Sequence, residues 1–334
     1  MNRCLSGALK KGLKRGHRLL SGSAEKSKGP PWKVLFFGSD EFSLYSLKAL
    51  NQEAENLLKT LEVVTCSQKN QIFKYCRDQH LPVHKWPPDL SGQSFDLGIV
   101  VSFGYLIPEA LINQFPRGMI NVHGSLLPRW RGASPIVYAL ANGDKETGVT
   151  IMKVRPRKFD VGEIICQEVV PIGAGMEMPQ LHSILGQLGA KLLVQTIWNL
   201  QPALEAARPQ PEDGASYAPK ITQGFAQVQW SCSTAKEIER LYRALKSVFP
   251  LKTTWYGTPV KLSDIAMFQA SGTTKKPGHV YYSKPHKALI VECAGSTWIS
   301  VKEVGVQGKK TMKAADFYNG FISKLPDQSL ACFQ

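Results

Sequence analysis

The run Asp96-Leu-Gly-Ile-Val-Val-Ser-Phe103 constrains the fold most, because it is apolar over nearly the whole length of a strand. A strand with one solvent-facing side alternates apolar and polar residues, whereas a nearly continuous apolar strand is typical of a parallel sheet covered on both faces. A shorter apolar run, 33–37, ends at Gly38 and is followed by a helical pattern over 42–50. This strand–glycine–helix order predicts an α/β domain with a parallel-rich sheet.

Three loops follow the carboxyl ends of the predicted strands, at 38–42, 102–108 and 123–132. Open parallel sheets bind ligands at this edge, so we expect the three loops to converge on a small-molecule site. The first loop reads Gly38-Ser39-Asp40 and lacks the Gly-x-Gly-x-x-Gly pattern of dinucleotide-binding folds. The site is therefore not predicted to bind NAD.

The third loop is preceded by two polar side chains that share one face of a strand. Asn121 and His123 are two residues apart, and side chains at that spacing point the same way. A later connection, Phe159-Asp160-Val161-Gly162, places a carboxylate beside a glycine. His123 is either a hydrogen-bonded core histidine or part of a site, and Asp160 is either an ordinary turn aspartate or a partner of the imidazole.

A second domain follows a proline-rich segment. Residues 205–224 contain three prolines and few large apolar side chains, which predicts a linker. Beyond it, Thr234 and Glu237 form a capping-box pattern at the start of a helix. Five short strand patterns between 252 and 304 then predict a small barrel. We therefore divide the chain into a first domain at 32–204, the linker, and a second domain at 225–330.

Positive charge is concentrated at the two ends of the chain. Residues 1–28 contain eight basic side chains, one acidic side chain and leucines at near-helical spacing, a pattern typical of an organellar transit peptide. A disordered basic tail or an RNA-binding arm would look similar. Residues 29–220 are neutral overall, whereas residues 221–334 carry a net charge of +8. This excess indicates a polyanionic partner, nucleic acid first, or a merely solvated basic surface.

The sequence contains neither a candidate membrane-spanning run nor a paired cysteine motif. No apolar run approaches the roughly 20 residues of a membrane-spanning helix, so no membrane partner is expected. The seven cysteines are scattered without a Cys-x-x-Cys pair, which favours a reducing compartment and indicates neither a zinc site nor a disulfide framework.

Six stretches of the chain resemble the methionyl-tRNA formyltransferases, in the form found in organelles, over residues 32–321. They are Leu-Phe-Phe-Gly at 35–38, Ser-Phe-Gly-Tyr-Leu-Ile-Pro at 102–108, Asn-Val-His-Gly-Ser-Leu-Leu-Pro-Arg-Trp-Arg-Gly at 121–132, Gly-Val-Thr-Ile-Met at 148–152, Asp-Val-Gly-Glu-Ile at 160–164 and Tyr-Ala-Pro-Lys-Ile at 217–221. The Asn-x-His and Asp-x-Gly elements are shared by the wider group of 10-formyltetrahydrofolate enzymes. The linker and the ending at 312–320 point to the enzymes that act on tRNA.

The resemblance implies a Rossmann-like catalytic domain followed by an OB-like β-barrel. It implies transfer of a formyl group from 10-formyltetrahydrofolate to the amino group of initiator methionyl-tRNA, in the mitochondrial matrix, by a monomer that needs no metal. The catalytic residues would be Asn121, His123 and Asp160. The expected folate-binding residues are Ser125, Leu126, Leu127, Pro128, Phe103, Gly104, Tyr105 and Ile107. The expected tRNA contacts are Arg129, Arg131, Lys309, Lys310 and Lys313.

The reaction suggests a role for each catalytic side chain. Attack by the amine places negative charge on the formyl oxygen, so we expect His123 and Asn121 to donate hydrogen bonds there. Asp160 would pair with the imidazole and relay the proton that the amine loses.

Two features depart from the pattern of this family. Bacterial members have a long basic loop after the second strand that contacts the tRNA, whereas here only residues 66–72 separate that strand from the next helix. The run Arg155-Pro-Arg-Lys-Phe159 is more basic than in bacterial relatives, and either replaces part of the lost charge or is a solvated loop. Two alternatives stay open: a formyl-folate enzyme that acts on a small amine or hydrolyses its donor, and a non-catalytic RNA-binding relative.

Overall fold

The computed structural model describes residues 29–270 and 276–334, and the predicted transit peptide at 1–28 lies outside the described residues. Seven strands form the first sheet, in the order β3-β2-β1-β4-β5-β6-β7. They are β1 (Trp32–Gly38), β2 (Leu58–Thr65), β3 (Val83–Lys85), β4 (Leu97–Val101), β5 (Met119–His123), β6 (Glu146–Lys153) and β7 (Ile164–Pro171). The first five pair in parallel, and β6 and β7 add antiparallel strands at one edge. The predicted parallel-rich sheet is confirmed.

Both faces of this sheet are covered, as the apolar strand patterns predicted. Alternate residues of β1 enter separate hydrophobic clusters, with Val34 and Phe36 in one and Leu35 and Phe37 in the other. The helices of this domain are α1 (Glu41–Gln52), α2 (Ala54–Leu57), α3 (Gln71–Asp78), α4 (Glu109–Ile112), α5 (Pro135–Asn142), α6 (Met178–Trp198) and α7 (Leu200–Glu205). Residues 66–70 alone separate β2 from α3, which confirms the short loop at this position. In residues 29–270 and 276–334 we find no helix with the length and apolar composition that a membrane crossing needs.

The second domain combines two helices with an antiparallel sheet. The helices are α8 (Ala235–Leu245), which begins with the predicted capping box of Thr234 and Glu237, and α9 (Ala314–Phe317). The strands are β8 (Leu251–Trp255), β9 (Thr258–Phe268), β10 (Val280–Ser283), β11 (Ala288–Cys293), β12 (Thr297–Val306) and β13 (Met312–Lys313). Their order is β10-β11-β12-β9-β8, and β13 pairs with β12.

The C-terminal residues join the two edge strands of the second sheet. Gln334 exchanges backbone hydrogen bonds with Thr254 of β8, at 2.9 and 3.0 Å. The carbonyl oxygen of Ala331 accepts from the N–H of Val280 in β10 at 3.0 Å, and the Phe333 ring is buried. Both edges of the sheet are therefore hydrogen-bonded, through residues that lie beyond the domain end predicted at 330.

The two domains pack directly against each other. α8 lies against α5, the Lys246 ammonium pairs with the Glu177 carboxylate, and the Arg243 guanidinium donates to the Met176 carbonyl oxygen. The segment 205–224, predicted as a linker, pairs with the loop that follows β5 and with Ile164 at the start of β7. This segment is therefore part of the first domain's surface rather than a free connection.

Candidate functional site

Loops from neighbouring strand ends meet beside β1, β4 and β5. The Ser39 hydroxyl donates to the Phe103 carbonyl oxygen at 3.1 Å, which joins the first two loops. The third loop reaches them at Gly124, where an added Cβ would lie 3.4 Å from the Phe42 ring. The loops therefore converge as the sheet topology predicted.

Asn121, His123 and Asp160 come together at the carboxyl end of β5. The first two share a face of the strand, and Asp160 lies on the loop between β6 and β7. The Asn121 amide nitrogen donates to Asp160 Oδ1 at 3.2 Å, and Nδ1 of His123 lies 3.7 Å from the same oxygen. Only 6% of the His123 side chain and 10% of the Asp160 side chain are exposed, so water screens their interaction little. Within the described part of the chain, no group of three or more His, Cys, Asp and Glu side chains is placed to hold a metal ion.

The two ring nitrogens of His123 have different environments. Nε2 lies 2.9 Å from the Trp130 carbonyl oxygen, which can only accept, so Nε2 carries a hydrogen. Nδ1 is therefore the nitrogen left for proton exchange or for a bound group. Trp130 is itself held in place, because its indole N–H donates to Asp144 Oδ2 at 2.7 Å and the Arg129 guanidinium lies 4.3 Å from its ring centroid.

The backbone of Asp160 has a left-handed conformation, with φ at 56°. Aspartate tolerates this region better than most residues, but the conformation persists only where neighbouring groups hold it. The Gly132 N–H donates to Oδ2 at 2.8 Å, and the Asp160 carbonyl oxygen accepts from Gln210 Nε2 at 2.9 Å. Gly162 completes the turn, since an added Cβ there would lie 1.7 Å from the Lys153 carbonyl oxygen. Asp160 is thus fixed through both its carboxylate and its backbone.

Gln210 is a site residue that the sequence did not reveal. Its Nε2 donates to the carbonyl oxygens of Asp160 and Gly162, at 2.9 and 2.8 Å. Its Oε1 accepts from Nε and Nη2 of Arg131, at 3.0 and 2.9 Å. Gln210 therefore ties the loop that carries Asp160 to the loop that follows β5. The local signal for an ordered role is the proline on each side of it, because prolines restrict the backbone to extended conformations.

The predicted folate loop, 125–128, has a firmly held backbone. Ser125 is fully buried, and its hydroxyl donates to the Arg129 carbonyl oxygen at 2.7 Å. Thr150 Oγ1 donates to the Ser125 carbonyl oxygen at 2.6 Å and accepts from the Leu127 N–H at 3.1 Å. Ser125 and the buried Leu127 therefore shape the loop from within, and its partly exposed members are Leu126 and Pro128.

The predicted folate residues between 103 and 107 divide into buried and exposed members. Phe103 and Ile107 belong to the second hydrophobic cluster and are 3% and 4% exposed. Gly104 and Tyr105 are exposed, and the centroid of the Tyr105 ring lies 5.6 Å from those of the Trp86 and Phe103 rings. Tyr105 is therefore the aromatic side chain of this group that is open to a ligand.

The two predicted tRNA contacts in the first domain already have partners. Arg131 is 5% exposed, and its guanidinium is bound to Gln210. Arg129 forms two hydrogen bonds with the Asp144 carboxylate, at 2.8 and 2.6 Å, and these raise the pKa of its guanidinium. Both side chains position the loop in this conformation, and Arg129 stays the more accessible of the two.

The three lysines predicted to contact tRNA lie near the end of the second domain. Lys313 pairs with Glu303 at 2.5 Å, and this hydrogen bond raises the pKa of its ammonium group. Lys309 Nζ lies 5.6 Å from the centroid of the Phe321 ring, and Lys310 is exposed. Neither of these two lysines has an ion pair among the described residues, so both are accessible to phosphate.

Family models match both domains. The model of the formyl transferase family matches residues 85–197, and the model of the formyl transferase C-terminal domain matches residues 220–322. The first match contains Asn121, His123 and Asp160, and the second contains α8 and the antiparallel sheet.

Named proteins are similar to this chain along most of its length. The mitochondrial methionyl-tRNA formyltransferase of Homo sapiens is 42% identical over 309 residues, which is 88% of this chain and 78% of that protein. The methionyl-tRNA formyltransferase of Roseobacter denitrificans is 42% identical over 233 residues, 70% of this chain and 72% of that protein. A solved N-formyltransferase from Helicobacter canadensis, in complex with folinic acid and dTDP-3-aminofucose, has a TM-score of 0.62 at 18% identity and covers 80% of this chain and 98% of its own. The last similarity is one of fold.

Proposed function

This chain belongs to the methionyl-tRNA formyltransferase family and formylates the amino group of methionyl-tRNA; from that premise we propose that Asn121, His123 and Asp160 carry the transfer. The family membership expected from the sequence motifs is thereby confirmed, and a small amine as acceptor is not favoured. The observation that carries the proposal is the shared oxygen: Asn121 Nδ2 and His123 Nδ1 both approach Asp160 Oδ1, and the His123 and Asp160 side chains are almost fully buried.

We propose 10-formyltetrahydrofolate as the donor, which supplies the activated formyl group when bound. The solved relative from Helicobacter canadensis contains folinic acid, a formylated folate. The chain's own residues fit such a molecule, because the exposed Tyr105 ring can contact a flat heterocycle and the backbone of 126–128 is held in place before binding.

The transfer first needs hydrogen-bond donors at the formyl oxygen. The Asn121 amide carries two hydrogens, and one is donated to Asp160, which leaves the second for the formyl oxygen. His123 can donate to that oxygen only through Nδ1, because Nε2 already donates to Trp130. His123 therefore acts as a donor in its protonated form, and the Asp160 carboxylate stabilises the positive ring.

The transfer also needs an acceptor for the proton that the attacking amine loses. Nδ1 of His123 already carries a hydrogen when it donates to the formyl oxygen, so Oδ1 of Asp160, 3.7 Å away, is the group that takes the proton. Asp160 then passes the proton to the folate nitrogen as the bond from that nitrogen to the formyl carbon breaks. The hydrogen bonds from Gly132 and Gln210 keep the carboxylate at this position, so the proton acceptor does not have to reorganise during the reaction.

Formyl transfer by leader-free protein tests this proposal. Methionyl-tRNA, free methionine and water are offered in turn as acceptors of the formyl group from formyl folate. We expect transfer to methionyl-tRNA, and a loss in kcat of about 10²-fold or more when Asn121, His123 or Asp160 is replaced by alanine. His84→Ala is the matched control, because His84 pairs with Glu62 in the sheet, away from the site. A folded His123→Ala protein with near-normal turnover would remove His123 from the mechanism.

We propose further that the basic second domain binds the tRNA and that the enzyme works as a monomer in the mitochondrial matrix. The net charge of +8 over residues 221–334 supports the first point. The mitochondrial relative and the basic residues of 1–28 support the location. Import of a reporter fused to residues 1–28 tests the location.

A further inference from the structure

A cavity of about 790 Å³ lies next to the proposed catalytic carboxylate. Its lining includes Gly132, whose N–H binds Asp160 Oδ2, together with Phe159 and Val161, the two neighbours of Asp160 in sequence. Tyr217 lines it from the segment 205–224. Asn121, His123 and Asp160 are not part of this lining, so the cavity can hold a part of the substrate other than the reacting group.

Two exposed aromatic rings contribute to this lining. Phe159 is 55% exposed and Tyr217 is 67% exposed. In residues 29–270 and 276–334, neither ring stacks on another ring and neither belongs to a hydrophobic cluster. Such rings are stacking platforms for nucleic-acid bases, because every base has an aromatic face.

The charge of the lining suits a phosphate backbone. It contains four basic and two acidic side chains: Arg131, Arg155, Arg157, Lys158, Glu163 and Glu212. Arg155 pairs with Glu163, and Arg157 pairs with Glu109. Lys158 has no ion pair in the described part of the chain, so its ammonium group is available to a phosphate.

A cationic groove with exposed aromatic rings is typical of sites that bind single-stranded nucleic acid. A charged tRNA presents its amino acid on the last ribose of an unpaired 3′ strand. We propose that the cavity binds these unpaired 3′-terminal nucleotides, with bases stacked on Phe159 and Tyr217 and a phosphate beside Lys158. The proposal rests on formyl transfer to methionyl-tRNA at Asp160, because Phe159 precedes Asp160 in the chain and the Gly132 that binds its carboxylate lines the same cavity.

Binding measured without turnover tests the site. Leader-free protein is titrated with uncharged tRNA, either intact or trimmed of its unpaired 3′ nucleotides. We expect trimming to weaken binding to the unmodified protein about tenfold, and Phe159→Ala or Tyr217→Ala to weaken binding of intact tRNA to a similar extent while leaving trimmed tRNA unaffected.

Conservative variants separate stacking from folding. Phe159→Trp and Tyr217→Phe keep a flat ring and should bind intact tRNA as the unmodified protein does. Trp198→Ala is the matched control, because it removes an exposed ring from the catalytic domain without changing the cavity. We expect no change in tRNA binding for this control.

Steady-state kinetics give a second readout. The two alanine variants should raise KM for methionyl-tRNA about tenfold, with unchanged kcat and unchanged KM for formyl folate. The proposal is wrong if removing the 3′ nucleotides weakens tRNA binding to the variants as much as it does to the unmodified protein. It is also wrong if the variants raise KM for formyl folate and not KM for methionyl-tRNA. If formyl transfer to methionyl-tRNA fails but trimming and ring removal still weaken tRNA binding, the transfer reaction is refuted and this site stands.

Discussion

Replacing Gln210 by alanine should lower kcat for formyl transfer while leaving KM for formyl folate nearly unchanged. Gln210 holds the carbonyl oxygens of Asp160 and Gly162, and the left-handed backbone of Asp160 depends on such contacts. A displacement of about 1 Å at a reacting group can cost about 10²-fold in rate, so we expect kcat to fall by about 10- to 100-fold.

The same substitution should also destabilise the protein. Each hydrogen bond to a charged group contributes about 1.5–3 kcal/mol and each neutral one about 0.5–1.5 kcal/mol, and Gln210 makes two of each kind. Because Gln210 lines the cavity of about 790 Å³, water can replace part of these contacts. We therefore expect a loss of about 2 kcal/mol in the free energy of unfolding, roughly half of the lowest sum of these four contributions.

Gln210→Glu separates the two effects. A carboxylate keeps the oxygen that accepts from Nε and Nη2 of Arg131, but it replaces the N–H donors with a second oxygen that faces the carbonyl oxygens of Asp160 and Gly162. The ion pair with Arg131 offsets part of the lost hydrogen bonding, so denaturant unfolding should show a smaller loss of stability than in Gln210→Ala, whereas kcat should stay low. Gln307→Ala, at an exposed position in the second domain, is the control. Normal kcat in a folded Gln210→Glu protein would refute the positioning role.

Three further predictions concern the second domain. Lys309→Ala combined with Lys310→Ala should raise KM for charged tRNA and flatten its dependence on salt, and an unchanged salt slope would contradict a phosphate contact. Phe333→Ala should cost about 3–5 kcal/mol in unfolding free energy, because this buried ring stacks on Trp230, and a loss below about 1 kcal/mol would show that the C-terminal residues do not hold the sheet. Thr234→Ala should cost about 1 kcal/mol at neutral pH. Hydrogen bonds from the Thr234 backbone N–H and hydroxyl lower the folded-state pKa of Glu237 below 4.5, so the part of this cost that comes from the hydroxyl–carboxylate bond is complete above that pH and is lost as the pH falls through the lowered pKa; a cost that stays constant in acid would contradict that bond.

Sequence periodicity was sufficient to predict the sheet and to place two of the three proposed catalytic side chains on one face of a strand. The apolar run 96–103 reflects burial on both faces, and this depends on the residue types of one strand alone. The shared face of Asn121 and His123 follows from the two-residue period of a strand. Asp160 was placed beside them by family resemblance, because nothing in its own loop shows that the loop returns to β5.

Contacts between segments far apart in the chain left no such pattern. Gln210 reaches the Asp160 backbone across 50 residues, and Gln334 reaches Thr254 across 80 residues. Both contacts use backbone oxygens or amides, which every residue carries, so side-chain patterns do not predict them. The segment 205–224 was predicted as a linker from its proline content. Its order comes from hydrogen bonds to distant residues rather than from an apolar stripe, so the sequence pattern did not reveal it.

The segment 205–224 explains how a neutral catalytic domain and a basic second domain can serve one substrate. It holds the loop of Asp160 through Gln210 and the loop after β5 through Ala218, and it then leads directly into the second domain. A rotation of the second domain would have to break the ion pair between Lys246 and Glu177 and the hydrogen bond from Arg243 to the Met176 carbonyl oxygen. The accessible lysines near the end of the chain are therefore held at a set separation from Asp160. Such an arrangement suits a substrate of fixed shape like tRNA, because contacts made far from the reacting amine then help to position it.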